Sequence, residues 1–553
     1  MNRKLLAIFG ALVFVASCGE DNTPAGSDQP STALDLINVE GIQAHYRYLA
    51  DDELEGRLTG EPGYDKAAAY VAEQFEAIGL RPAGEDGGWY QGVPLVAYSL
   101  EEGSMHAIAH LDGIEEELKY REDYGMSADK VREQNAVRAE VVYVGFGVHA
   151  PELGYSDYEG VDVDGKIIAL FGGAPATFDH NERAFYSSGR TKIQEAVDRG
   201  AIGVITLWSR RMQRRMPWER YKKQTGTKPG MAWVNLTGQA NDYFPEIEGA
   251  ITLSPAAATE LMAGTPISFE EALDATDASQ AASTPLGFEM AIERRSLRES
   301  ITSPNVIGLV EGTDPELKDE YVVYTAHLDH VGIGVEENGD DIYNGAYDNA
   351  MGVSLMLETA RAIAANPPRR SVLFIALTAE ERGLLGSDYF ANYPTVPTGS
   401  MVANVNLDMP LFLSPVADLV AFGSEHSSLE AVVDAAAVAE GFTLSPDPFP
   451  EETLFIRSDQ YSFVRKGIPA FFLMPGFGSL DPDVDGSALF DDHLQNHYHR
   501  PSDDLSRPVH WESARRFARA NARVGMEVGN ADQRPSWNEG DFFGDLFARD
   551  LAN

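Results

Sequence analysis

The residues with the clearest capacity for chemistry fall in one stretch, Tyr321 to Asp408. The apolar run Tyr321–Ala326 leads into His327-Leu328-Asp329, and Val372–Leu377 leads, three residues on, into Glu380-Glu381. Val402–Leu407 leads into Asp408, and Asn344-Gly345-Ala346-Tyr347-Asp348-Asn349 lies between the first two runs. Five carboxylates and one imidazole at or beside strand ends have the composition of a metal site. His327 with Asp329 two positions on fits a ligating imidazole whose second nitrogen is held by a carboxylate. Adjacent acids such as Glu380-Glu381 repel one another in a cleft unless a cation or a proton relieves them. Asp408 and a later histidine complete a mixed N/O set, which suits zinc or another first-row divalent ion. With two metals, one carboxylate bridges them and a shared water becomes the nucleophile, while another carboxylate stays unligated to take its proton.

The elements that position these residues alternate. Strands are expected at Asn305–Val310, Tyr321–Ala326, Ser371–Leu377, Met401–Leu407 and Ala470–Leu473, and helices at Ala350–Ala364, Gly383–Phe390, Leu429–Glu440 and Trp511–Val528. That order predicts an α/β fold, a mixed β-sheet flanked by helices, with its site at the carboxyl ends of the strands. Upstream, Asn38–Leu49 and Tyr64–Gly79 have helical spacing, separated by the glycine-punctuated loop Leu54–Gly60. In that loop Arg57 is read as a structural salt bridge or a substrate contact. From about Leu95 the pattern turns to short strands, including Glu140–Gly147, Gly165–Phe171 and Gly203–Leu207, with a helix at Lys192–Arg199. Ser209 to Lys228 concentrates basic residues, Arg210, Arg211, Arg214, Arg215, Arg220, Lys222, Lys223 and Lys228. It reads as a solvated loop balancing nearby acids, or as a lid for the carboxylate end of a peptide.

Composition limits the partners. Lys+Arg total 43 against 86 Asp+Glu, a formal net charge of -43 over 553 residues. So acidic a chain disfavours nucleic acid and anionic membrane faces. Met1-Asn2-Arg3-Lys4 followed by apolar Leu5–Val15 reads as a secretory signal, too short to span a bilayer. Val15-Ala16-Ser17-Cys18 resembles the bacterial lipobox, and Cys18 is the only cysteine. The resemblance implies an exported protein, diacylated at Cys18 and anchored by lipid alone, with Gly19 after the cysteine implying the outer membrane. An ordinary signal peptide with an incidental cysteine is the alternative. Lacking a second cysteine, the chain forms no internal disulfide, so a metal must be held by N and O ligands.

Several motifs are similar to those of the dizinc aminopeptidases of the M28 metallopeptidase family. They are Thr325–His330, Asn344–Gly352, Ala379–Ser387, Asn406–Met409, Ser458–Phe463 with Lys466–Ala470, and Tyr498–Asp504. The region from Val144 to Val204 resembles the protease-associated domain, a small β-rich insert. The resemblance implies the zinc aminopeptidase (phosphorylase/hydrolase-like) fold and a division into residues 1–17 (signal peptide), 18–35 (tether), 36–94 (first part of the peptidase domain), 95–285 (protease-associated insert), 286–530 (catalytic domain) and 531–553 (tail).

It also implies roles. His327 and Asp408 would hold one zinc, Glu381 and His499 the other, and Asp348 would bridge the two. Glu380 would be the general base and then acid, and Asp329 the carboxylate behind His327. Tyr498 would stabilise the tetrahedral intermediate or simply pack. A cis peptide after Asp348 is part of the family pattern. Tyr347, Met351 and Arg500 depart from the commoner residues without removing a ligand. His499 alone of its neighbours sits in the matching context, so His493 and His497 are not taken as ligands, and His330 and His426 are read as hydrogen-bonding or structural. The implied activity is removal of N-terminal residues from peptides with two Zn2+ ions. Alternatives are a carboxypeptidase or glutaminyl cyclase of the same fold, or a non-catalytic, receptor-like relative.

Overall fold

The computed structural model describes residues 33–548, apart from 112 and 281. The signal segment, Cys18 and the last five residues lie outside the described residues. Among the described residues no helix is long and apolar enough to cross a membrane.

The catalytic sheet is built on the apolar runs noted above. Ser371–Leu377 is buried along its whole length, as are Met401–Asn406 and Ala470–Pro475. Strands covered on both faces read as continuous apolar runs because neither face meets water. Tyr321–His327 pairs in parallel with Ser371–Leu377 on one side and with Met401–Asn406 on the other, and Met401–Asn406 continues in parallel to Ala470–Pro475. Asp418–Phe422 runs antiparallel beyond that, and Val306–Val310 runs antiparallel to Ser371–Leu377. The sheet is therefore mixed, with a parallel centre whose carboxyl ends lie side by side.

Helices cover it. Gly352–Ala365 packs against Val39–Leu49, Pro62–Ile78 and Trp511–Asn530, and Leu429–Ala439 packs against Trp511–Asn530. Pro62–Ile78 starts on a proline in its first turn and stops at Gly79, which adopts φ 97°. The core beneath them, including Phe75, Val322, Phe374, Ile375, Val405 and Phe517, is buried. Each such side chain contributes about 1.5–3 kcal/mol relative to its exposed state.

A second, β-rich unit has its own core, which includes Val141, Ile167, Phe171, Ile205, Ile251, Met290 and Ile292. Its parallel strands Ile167–Phe171, Gly203–Leu207 and Gly249–Leu253 are joined by Gln134–Tyr143 at one side. The two units share one strand. Thr284–Val310 runs for 27 residues, pairs first with Gln134–Tyr143 and His106–Leu111, then with Tyr90–Leu100 and Ser371–Leu377. The expected boundaries at 94/95 and 285/286 both fall inside strands, Tyr90–Leu100 and Thr284–Val310. A composition shift marks where the partner strands change, not where the chain leaves the sheet.

The basic stretch is two short helices, Arg210–Arg215 and Trp218–Gln224, rather than a loop. Residues Phe542–Phe547 form a helix docked through Phe543, which is fully buried.

Candidate metal centre

All the acidic or imidazole side chains of the site except His499 leave the sheet at the carboxyl end of a parallel strand or from a turn near it. His327 ends its strand; Glu380 and Glu381 follow Ser371–Leu377 after Thr378 and Ala379; Asp408 follows Met401–Asn406. Asp348 sits in the wide turn Ala346–Met351, where the Asp348–Asn349 peptide is cis. His499, at φ 53°, comes from the loop after the helix Gly486–Asn496.

The geometry centres on Asp348. Its Oδ1 lies 3.2 Å from His327 Nε2, and its Oδ2 lies 3.1 Å from His499 Nε2. His327 Nε2 is also 3.0 Å from Asp408 Oδ1, and His499 Nε2 is 3.1 Å from Glu381 Oε2. Two groups of candidate ligand atoms result: His327, Asp348 and Asp408, and His330, Asp348, Glu381 and His499. In a tetrahedral site with bonds of about 2.0–2.1 Å, neighbouring ligand atoms are roughly 3.3 Å apart. The spacings observed fit that edge, and one carboxylate belongs to both groups. The residues present therefore suit a pair of divalent cations. All five sequence-derived ligands, His327, Asp348, Glu381, Asp408 and His499, are brought together.

Two expectations need correction. Asp329 does not offer its carboxylate to His327. His327 Nδ1 lies 3.2 Å from the backbone carbonyl of Asp329 instead. The Asp329 carboxylate accepts from the backbone amides of Glu380 at 3.0 Å and Glu381 at 3.3 Å, and from Thr59 Oγ1 at 3.2 Å. Those donors point at it from the facing strand end and satisfy a buried anion, so Asp329 holds the Glu380-Glu381 turn against the His327 loop. Arg57, likewise, is neither a salt bridge nor a substrate contact. It is buried, and its guanidinium donates to the carbonyls of Leu49, Leu328, Asn344 and Gly345, tying both ligand loops together. Main-chain carbonyls are invisible in a sequence, which is why the arginine looked like half of an ion pair. The glycines around it have a reason too. A Cβ at Gly56, φ 67°, would meet the Tyr343 carbonyl at 2.3 Å.

The remaining support was not singled out from the sequence. Asp503 accepts from the backbone amides of Tyr347 at 3.1 Å and Asp348 at 3.2 Å. Asn349 donates to the Leu407 carbonyl at 2.9 Å and accepts from the Met409 amide at 3.1 Å, joining the turn that carries Asp348 to the one that carries Asp408. Ser458 donates to Asp408. His330, read as a hydrogen-bonding residue, places Nδ1 2.7 Å from Glu381 Oε1 and belongs to the second ligand group. His426 pairs with Asp541 at 2.6 Å.

Comparison with known proteins places this arrangement. Residues 305–525 match the sequence profile of Peptidase family M28. This segment, about two fifths of the chain, is similar to peptidase family M28. The chain is similar to aminopeptidase YwaD of Bacillus subtilis (strain 168), with 37% identity over 110 residues, 20% of this chain and 22% of that one. It is also similar to probable leucine aminopeptidase 2 of Aspergillus fumigatus, with 26% identity over 218 residues, 38% of this chain and 41% of that one. The matched segments thus span between about a fifth and two fifths of these curated relatives. In fold, the chain is similar to an aminopeptidase from Aneurinibacillus sp. strain AM-1, with TM-score 0.52 and 19% identity over 91% of this chain and 96% of that one.

All five expected ligand positions and Glu380 fall inside the segment that matches family M28. Its electrostatics are those of a site made for positive charge. Burial and the Asp348 charge would raise Glu381, but His499 and His330 outweigh them and hold it at about 2. Burial would lower His499, yet Glu381 and Asp348 lift it to about 10. His327 is raised well above the ordinary imidazole value in spite of burial, because Asp408 and Glu380 face it. Glu380 goes the other way from Glu381. Burial, with Asp408, Glu381 and Asp459 nearby, raises it well above an ordinary carboxylate in spite of His327. Two adjacent glutamates are thus shifted in opposite directions by their surroundings. Tyr498 lines the same pocket, with its ring stacked 3.9 Å from that of His499.

Half of the basic stretch is committed to ion pairs elsewhere. Arg210 pairs with Glu270, Asp274 and Asp277, Arg211 and Arg215 with Glu452, and Lys222 with Glu122 and Glu219. Lys228 lies apart, 5.8 Å from the Tyr343 ring centroid, where the charges of Arg382 and Glu381 both act on it.

Proposed function

We propose that the protein is a zinc-dependent exopeptidase that removes N-terminal residues from peptides. The observation that carries this reading is the placement of Asp348, with one oxygen toward His327 and the other toward His499. The relatives named as aminopeptidases support it. His327 and Asp408 would hold one ion, Glu381 and His499 the other, and Asp348 both, with His330 beside the second. Two such cations supply Lewis-acid polarisation of the scissile carbonyl and lower the pKa of the attacking water.

The chain's own residues do the rest. Glu380 faces the pocket with a raised proton affinity, so it takes the proton from the attacking water and delivers it to the leaving amine. One proton leaves the water and one reaches the nitrogen as the C–N bond breaks, so Glu380 ends unchanged. Asp329 fixes the backbone from which Glu380 projects. Tyr498, at the pocket wall, would donate to the developing oxyanion.

A panel of aminoacyl nitroanilides tests the reading, assayed with and without chelator and with Glu380→Gln. The expected result is activity lost to chelator, restored by zinc, and reduced at least about a hundredfold in Glu380→Gln. Full activity in the chelated protein or in the variant overturns the mechanism.

A further inference from the structure

Next to the ligands lies a cavity of about 90 Å³ lined by Met409, Leu454, Arg457, Ser458, Phe472 and Met474, along with the site residues. Met409, Leu454, Phe472 and Met474 give it apolar walls. Ser458 is spent on Asp408. Arg457 is then its one cationic wall residue.

Arg457 has charge to spare. The carboxylate of Glu452 faces three guanidinium groups: Arg211 at 2.9 Å, Arg215 in close contact, and Arg457 at 3.7 Å. The first two come from the helix Arg210–Arg215 of the β-rich unit and make hydrogen bonds to it. At 3.7 Å Arg457 makes none. One anion therefore faces three arginines, a local excess of positive charge in a chain whose net charge is -43. The backbone of Arg457 is fixed, while its guanidinium makes no hydrogen bond among the described residues. The Arg457 amide donates to the Leu454 carbonyl at 3.0 Å, the next residue bonds Asp408, and its side chain is 44% exposed.

We propose that this cavity receives the first side chain of the substrate and that Arg457 makes it selective for glutamate. The inference rests on the aminopeptidase reading of the adjacent site. A glutamyl side chain has two methylenes to lie along the methionine and leucine walls and a terminal carboxylate that a guanidinium binds through two parallel N–H donors. Glutamine has the same shape without the charge, so the pair separates charge recognition from fit.

The test is the ratio of kcat/KM for glutamyl and glutaminyl nitroanilides, measured in the full protein, in Arg457→Gln and in Arg457→Lys. A hydrogen bond between charged groups implies a glutamyl preference of about tenfold to a hundredfold in the natural protein. The ratio falls to about one or below in Arg457→Gln and recovers part of the way in Arg457→Lys, which keeps the charge but not the fork. Competitive inhibition by free glutamate against free glutamine follows the same order and reads binding apart from turnover. A natural ratio at or below one, or a ratio unchanged in Arg457→Gln, overturns the proposal while the aminopeptidase reading stands. Failure to cleave any aminoacyl nitroanilide, leucyl included, removes the aminopeptidase reading first and this one with it.

Discussion

His493 shows how a single buried side chain ties stability to pH. It is fully buried, and neither ring nitrogen has a hydrogen-bond partner among the described residues. Around it stand the rings of Tyr347 at 5.7 Å and His497 at 6.1 Å, with the charges of Arg507, Asp348 and Asp492 acting on it. Burial, aided by Arg507, lowers its pKa from 6.5 to about 4. A histidine depressed in the folded state contributes stability above its unfolded pKa and loses it as pH falls toward the folded one. Between pH 6.5 and 4 that loss amounts to about 3 kcal/mol. The expected outcome is that His493→Phe loses less stability than the natural protein when thermal unfolding is followed from pH 7.5 to 4. The difference between the two curves isolates the group, because His327 and His499 shift upward and are common to both. Parallel curves would show that His493 is not protonated on unfolding. At this scale the sequence displayed the five expected ligands, since ligands must be His, Asp or Glu, but passed over His330, which joins the second group. It did not display the groups that hold them. Arg57 acts on carbonyls, Asp329 and Asp503 on amides, and backbone partners carry no letter in a sequence.

The long strand Thr284–Val310 is the element that joins the two units. Met290 and Ile292 lie in the core of the β-rich unit, and Val306 and Ile307 in the core of the catalytic one. Any cut inside it leaves unpaired N–H and C=O groups on both sheets, and such edges favour aggregation over folding. Limited proteolysis of the folded protein is therefore expected to give no stable fragment ending at 94/95 or 285/286, and a chain of residues 95–285 is expected to show no cooperative thermal transition. A soluble 95–285 fragment with a sharp transition would show that the β-rich unit does not need the strand. The central elements were legible because their periodicity is undivided, as in Ser371–Leu377 and Pro62–Ile78. The shared strand was not, because its alternation is broken by Gly287, by the charged run Glu293-Arg294-Arg295 and by Pro304. Only its five partner strands make it one element. The hairpin Gly332–Glu337 with Asp340–Tyr343 escaped for a related reason, since a strand largely open to solvent shows little apolar pattern.

Over the whole molecule, opposite charges are used at short range and like charges act at long range. Cations are drawn into clusters with acids, as where Arg519 and Arg523 share Glu440 and Arg210 meets three carboxylates. What remains is a net charge of -43, which opposes the compact state through the sum of many distant repulsions. Screening separates the two. The Debye length falls from about 10 Å at 0.1 M salt to about 3 Å at 1 M, so distant repulsions vanish while contacts near 2.8 Å persist in part. Exposed ion pairs are worth about 0–1 kcal/mol each, so weakening them costs little. Repulsion therefore dominates the salt response, and the melting temperature is expected to rise by a few degrees between about 0.05 M and 0.5 M sodium chloride and then level off. Potassium and choline chlorides should give the same rise, since the effect depends on ionic strength and not on a bound ion. A melting temperature that falls with salt would mean that the ion-pair clusters, not the surplus of acids, set the electrostatic balance of the fold.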